Sequence, residues 1–313
     1  MDAYELASRL SRGGRVQELT GPGGRAVAAN RVFRIWGESQ TRVVKVYGTP
    51  ARERRERHAL NALRGFHGLP NVLDRGTEGD LHWAVFDDAG QWTIASLPEN
   101  PSLARHAGHI LRSVHNANPE AVSNLARGID QAWVSVDFVS TFRRIERYRG
   151  RLGISAELLE AARAVRPPFA SSPLVAHTNP VPDCYLVDAD GLVTLINWEW
   201  ATLAPPEWDL SRAMWLFGLR SGPAAAAGLA EAYGSTMDQG QVDRWTVYHA
   251  GMMLVWEAEN RIHGKLDDLA YLVDELQRAV TAALTADTPD AAASPRPDSA
   301  AGSQMPDGTT GNG

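Results

Sequence analysis

Strand-like and helix-like periodicities are unevenly distributed along this chain, and that segregation is its strongest constraint. Strand patterns occupy the first ninety residues: Gln17–Thr20, Asn30–Trp36 (NRVFRIW), Thr41–Tyr47 (TRVVKVY), Leu73–Arg75 and His82–Asp87, each rich in β-branched or aromatic residues or bounded by turn formers. One charged helix, Ala51–Arg64, interrupts them. From Ser102 onward apolar residues recur at helical spacing, predicting helices over Ser102–His115, Val136–Tyr148, Ala156–Ala164, Glu207–Leu216, Ala224–Tyr233, Gln241–Ile262 and Asp267–Leu284. A single strand pair breaks that run, Tyr185–Val187 and Val193–Asn197, joined by the turn Asp188-Ala189-Asp190-Gly191. Strands grouped apart from helices predict an α+β protein of two lobes. The small antiparallel-sheet lobe spans residues 1–90. The larger, mostly helical lobe spans 91–285 with the hairpin embedded in it. Residues 286–313, rich in Pro, Gly, Ala and Asp and without aromatic or branched aliphatic side chains, are expected to be a disordered tail.

Composition removes several function classes. The net charge is −6, distributed as +3 over 1–90, −6 over 91–285 and −3 over 286–313, which disfavours a nucleic-acid-binding protein. The chain has one cysteine, Cys184, which excludes disulfide scaffolds and multi-thiolate metal sites. No apolar run approaches a membrane span, and the N-terminal MDAYELASRLSRGG lacks the apolar core of a signal peptide, so a cytoplasmic protein without membrane partners is expected.

Two groups of residues carry the chemistry. In the first lobe the glycines Gly21, Gly23 and Gly24 precede a strand pair, Lys45 sits among valines in the second strand, and Glu56 follows on the next helix. A lysine inside an apolar strand is costly unless paired. A Lys–Glu pair beside a glycine-rich loop is how kinase-type folds hold nucleotide phosphates. In the second lobe, residues 174–210 read LVAHTNPVPDCYLVDADGLVTLINWEWATLAPPEWDL. This stretch resembles the aminoglycoside phosphotransferase and choline kinase-like family, whose pattern is L-V-H-G-D-x-x-x-x-N-x-L-V-D, a hairpin, I-D-W-E-x-A, then P-x-x-D-L. His177, Pro182, Leu186, Val187, Asp188, Gly191, Ile196, Trp198, Glu199, Ala201, Pro206, Asp209 and Leu210 fall in register. The resemblance covers about residues 15–285 and implies a bilobal protein-kinase-like fold, with Gly21, Gly23, Gly24, Lys45 and Glu56 holding ATP or another nucleotide.

The departures from that pattern fall on its working positions. Asn179 stands where the family has the aspartate that orients the acceptor hydroxyl or takes its proton, and an amide cannot act as a base at neutral pH. Cys184 and Asn197 stand at the family's two magnesium positions, whereas magnesium prefers hard oxygen ligands, usually with a carboxylate among them. Asp183 and Glu199 are the neighbouring carboxylates that could substitute. His177 is expected to brace the loop, as is Asp209, and Trp200 and Trp208 bracket the segment expected to line a substrate or partner pocket. Three functions stay open. The first is a catalytically impaired accessory or scaffold protein in a biosynthetic pathway, binding a small molecule, a peptide or a protein partner, with any nucleotide held without the usual magnesium coordination. The second is an active small-molecule O-phosphotransferase with unusual metal ligation. The third is non-phosphoryl chemistry with Cys184 as nucleophile and His177 as base.

Overall fold

A computed structural model describes residues 1–19, 30–37, 40–118, 128–260 and 269–287. The first lobe is a five-stranded antiparallel sheet of β1 (Val16–Glu18), β2 (Arg31–Trp36), β3 (Thr41–Tyr47), β4 (Val72–Glu78) and β5 (Leu81–Asp87), in the spatial order β1-β2-β3-β5-β4. Side chains alternate between the faces of a strand, and on β3 this alternation sorts them by role. Val44 and Val46 join Phe33, Ile35, Trp83 and Val85 in a small core on one face. Lys45 and Tyr47 therefore point to the other face, toward helix α2 (Pro50–Ala62) and the second lobe. Thr49 caps α2 by accepting from the Arg52 N–H, and Pro50 occupies its first position, where a missing N–H costs nothing.

The small core is closed by a helix that the strand reading of this region overlooks, α1 (Ala3–Leu10). Its signals are nonetheless in the sequence. Asp2 accepts from the Tyr4 and Glu5 N–H groups while Glu5 accepts from Asp2, a reciprocal cap. Ala3, Leu6 and Ala7 line the buried side, with Leu10 half-buried beside them.

The second lobe consists of α3 (Pro101–His115), α4 (Gln131–Leu152), α5 (Ala156–Ala164), α6 (Pro206–Ser221), α7 (Pro223–Tyr233), α8 (Gln239–Asn260) and α9 (Ala270–Ala286). Strand β6 (Trp92–Thr93) extends the expected hairpin, β8 (Tyr185–Val187) and β9 (Val193–Leu195), to three strands. Strands β7 (Leu174–Ala176) and β10 (Thr202–Ala204) form a separate antiparallel pair. β6, β7 and β10 have no counterpart in the sequence reading. The other expected elements are present with ends shifted by a few residues. Ile262, the start of the Asp267–Leu284 helix and nearly all of the expected tail lie outside the described residues. Among the described residues no helix is long and apolar enough to cross a membrane.

The lobes join through residues 88–91. Gly90 there has φ +116°, and a Cβ at this position would lie 2.3 Å from the Val187 carbonyl oxygen, so only glycine fits. Arg34 on β2 anchors the same segment, pairing with Asp88 at 2.8 Å and donating to the Gly90 carbonyl at 2.8 Å. Because Leu6 is wholly buried in the small core, Leu6→Ala should cost about 2–5 kcal/mol through lost burial and an unfilled cavity. Chemical denaturation of the two proteins, compared at the transition midpoint, measures that loss.

Candidate functional site

The contact between the lobes is organised by one buried cation. Lys45 Nζ lies 2.6 Å from Glu199 Oε2, on the second lobe, and 3.0 Å from Glu56 Oε2, on α2. All three residues are buried. Burial opposes the ammonium charge, yet the two carboxylates hold Lys45 above its ordinary value, and Lys45 in turn draws Glu199 below its own. Each carboxylate is fixed by further donors. Glu56 accepts from the Tyr47 hydroxyl at 2.6 Å and from the Trp198 N–H at 2.9 Å. Glu199 accepts from Asn30 Nδ2 at 2.8 Å, and Asn30 Oδ1 accepts from the Gly48 N–H. The expected Lys45–Glu56 pair is thus formed, with Glu199 and Asn30 added to it. Gly21, Gly23 and Gly24 lie outside the described residues.

The loop after β7 is held from behind by Asp209 on α6. Its two oxygens accept from the His177 and Thr178 N–H groups at 2.7 Å each, and His115 Nε2 lies 3.3 Å from one of them. These bonds hold Thr178 at φ +68°, where the family pattern has glycine and where a β-branched residue is strained. The Thr178 hydroxyl offsets part of that strain by donating to the Trp200 carbonyl at 3.0 Å. His177 is buried, donates from Nε2 to the Ile196 carbonyl at 2.7 Å and accepts at Nδ1 from the Asn179 N–H. Burial lowers its basicity despite Asp209 nearby, so it stays neutral with both ring nitrogens occupied. His177 and Asp209 both brace the loop.

The positions expected to meet metal are tied to protein groups. Asn197, at φ +69°, directs Nδ2 to Cys184 Sγ at 3.7 Å. Cys184 is buried, and burial pushes its thiol up to about 11. A nucleophilic Cys184–His177 couple is therefore not assembled: the thiol stays protonated and faces Asn197, while both ring nitrogens of His177 are engaged elsewhere. Asp183 is paired with Arg220 and Glu199 with Lys45. A thiol, an amide and two carboxylates already paired with cations do not fit magnesium, and among the described residues no three His, Cys, Asp or Glu side chains are grouped as a metal site.

Asn179 brings in a residue the sequence reading did not single out. Its Oδ1 accepts from Arg212 Nε at 2.9 Å. Burial pulls the Arg212 guanidinium down to about 10, against the pull of Asp209, and it remains a cation at neutral pH. The signal available in sequence is its place one helical turn after Asp209 on α6.

The two tryptophans expected to wall a pocket have different surroundings. Trp200 is half exposed, with the Arg52 and Arg55 guanidinium groups 5.1 and 5.6 Å from its ring centre. Trp208 is instead buried, packed among Trp133, Trp245, Tyr248 and His249, and its indole N–H donates to the Thr178 carbonyl at 3.1 Å. It supports the loop from the core and does not line a pocket.

Comparison with known proteins agrees with this architecture. The profile of the phosphotransferase enzyme family matches residues 24–245. No curated protein matches the chain in sequence. Among solved structures, a thermostable mutant of an aminoglycoside phosphotransferase in apo form superposes with a TM-score of 0.67 at 14% identity, covering 91% of this chain and 99% of that one. A spectinomycin phosphotransferase in complex with ADP and spectinomycin gives 0.62 at 13% identity, covering 91% and 98%. The GDP complex of an aminoglycoside 2'-phosphotransferase mutant gives 0.66 at 12%, covering 84% and 91%. At these identities the likeness is one of fold.

The Lys45–Glu199 contact sets a pH window. Glu199 is depressed in the folded state, so its contribution is complete above the ordinary value of 4.5 and is lost as pH falls through the folded value. Lys45 is raised, so its contribution is complete below 10.5 and is lost as pH climbs through the folded value. Glu199→Gln should therefore lower the melting temperature by a constant amount between those limits and by progressively less outside them. Thermal unfolding of both proteins across pH checks this.

Proposed function

The chain belongs to the phosphotransferase enzyme family, and from that premise we propose that it keeps the family's two-lobed binding frame without magnesium-dependent phosphoryl transfer, acting as a cytoplasmic accessory protein that binds a small molecule or peptide. The observation that carries this reading is the Cys184–Asn197 contact, which joins the two magnesium positions of the family pattern to each other. With Asn179 at the acceptor position, the group there is an amide, which does not take a proton from a hydroxyl. Such a protein binds nucleotide through the Lys45–Glu56 pair or leaves that pair as an internal brace. Nucleotide binding is supported by relatives of the same fold whose structures hold ADP or AMP.

The second reading, an active ATP-dependent O-phosphotransferase with a small-molecule acceptor, is favoured by the intact Lys45–Glu56 pair. Its metal would have to draw on Asp183 or Glu199, each released from its present cation.

Calorimetry with ATP, with magnesium and with EDTA, separates the two. The proposal expects any ATP affinity to be unchanged by magnesium. Substituting Asn179→Asp, Cys184→Asn and Asn197→Asp together should create a magnesium dependence of tenfold or more in that affinity (about 1.4 kcal/mol). Magnesium-dependent ATP turnover by the unaltered protein, abolished by Asp183→Ala or Glu199→Ala, would sink the proposal in favour of the phosphotransferase.

A further inference from the structure

Charge accounting at the loop leaves one cation over. Lys45 is answered by Glu56 and Glu199, and Arg220 by Asp183. Asp209 approaches Arg212 closely enough to be felt, but its oxygens are spent on the His177 and Thr178 N–H groups and on His115. Among the described residues Arg212 has no carboxylate at ion-pair distance, and its one hydrogen bond is the Nε bond to Asn179. An aspartate at position 179 would neutralise it; an asparagine accepts its hydrogen bond and leaves its charge in place.

The donors left over are specific in kind. Arg212 Nη1 and Nη2, and Asn179 Nδ2, carry N–H groups with no acceptor among the described residues, and both residues are partly open to solvent. Asn179 Oδ1 is already committed to Arg212, so the amide turns its nitrogen away from that bond. The free N–H groups of this pair thus cluster around a positive charge and outnumber the one lone pair left on Asn179 Oδ1. Three donor nitrogens complement an anion with several acceptor oxygens, and a guanidinium fork with a phosphate is among the strongest such pairs.

We infer that Arg212 and Asn179 form an oxyanion subsite in the cleft, which takes a phosphate monoester already present on the bound ligand. This rests on the reading above that the loop does not transfer phosphate. It turns the loop from a place where phosphate is attached into one where an attached phosphate is recognised. Free phosphate and a nucleotide offer similar oxygens, so the test includes both beside a phosphate monoester.

The test is calorimetric titration of the full chain, in EDTA, with three probes: O-phosphoserine, inorganic phosphate and ATP. O-Phosphoserine should bind, and Arg212→Gln should weaken it about tenfold or more, the loss expected for one charge-assisted contact. Asn179→Asp should weaken it at least as much, by supplying Arg212 with an internal carboxylate. Unaltered melting temperatures exclude misfolding, and Asn179→Asp still decides the matter where Arg212→Gln does not fold. Inorganic phosphate should bind more weakly, with the same dependence on both residues. The assignment is overturned by no detectable O-phosphoserine binding, by binding indifferent to both substitutions, or by an Arg212 dependence confined to ATP. Turnover of ATP with magnesium, assayed on the same preparations, bears on the premise alone: phosphate binding that depends on Arg212 in a protein that also turns over ATP retains the subsite and discards the reading it rests on.

Discussion

A lysine ammonium in the protein interior must be matched by negative charge or its desolvation destabilises the fold, and much of this structure's arrangement follows from how Lys45 is matched. The strand alternation of β3 sends Lys45 away from the small apolar core and into the cleft. Glu56 reaches it from α2, whose start is fixed by the Thr49 cap and Pro50. Glu199 reaches it from the second lobe. The carboxylates are themselves held, Glu56 by Tyr47 and the Trp198 N–H, Glu199 by Asn30. Removing either partner leaves a buried charge under-compensated, so the pair of lobes and the ion cluster stabilise one another. The position of the lobes is in this sense an electrostatic requirement as much as a packing one.

The second lobe shows the same economy at Asp209. Two backbone N–H groups of the loop and His115 converge on one carboxylate, which fixes the loop in a shape that forces Thr178 into the left-handed region. The strain is tolerated because it is surrounded by bonds that cannot be made otherwise: the hydroxyl to Trp200 and the Thr178 carbonyl to the Trp208 indole. Trp208 is in turn fixed by the aromatic cluster of α8. The loop thus inherits its geometry from the helical core, whatever stands at position 179.

The two lobes and the embedded hairpin were legible because they rest on long periodic runs, and the loop was legible because its spacing matches a known pattern. Lys45, Glu56, His177 and Asp209 could be assigned their partners or roles from that pattern. Four things could not be read. Helix α1 carries a cap and an apolar spacing, but eight residues are too few to stand out beside an expected run of strands. Strands β6, β7 and β10 exist only through their partners. Side-chain direction is also invisible to spacing, so Trp200 and Trp208, two positions on either side of the same short strand, were read alike although one faces the solvent-side arginines of α2 and the other the core. Arg212 was missed for a related reason: its spacing from Asp209 puts it one helical turn on, but its hydrogen bond to Asn179 arises only in the fold.

The acidic groups that this chain keeps and those it lacks differ in one physical respect. Glu56, Glu199 and Asp209 have oxygens filled by donors from the protein itself, so they serve the fold whether or not anything binds. Positions 179 and 197, where the family pattern has aspartate, are the ones whose oxygens would have to meet a group from outside. An asparagine at 197 turns its Nδ2 to Cys184 and carries no net charge. An asparagine at 179 instead accepts a hydrogen bond from Arg212, which among the described residues has no carboxylate at ion-pair distance. Uniform decay of an unused site would leave both positions without a consistent electrostatic sense. Here the same substitution type removes a charge at both positions but with different local results, an amide turned to a thiol at 197 and an amide accepting from a guanidinium at 179, with the supporting loop intact.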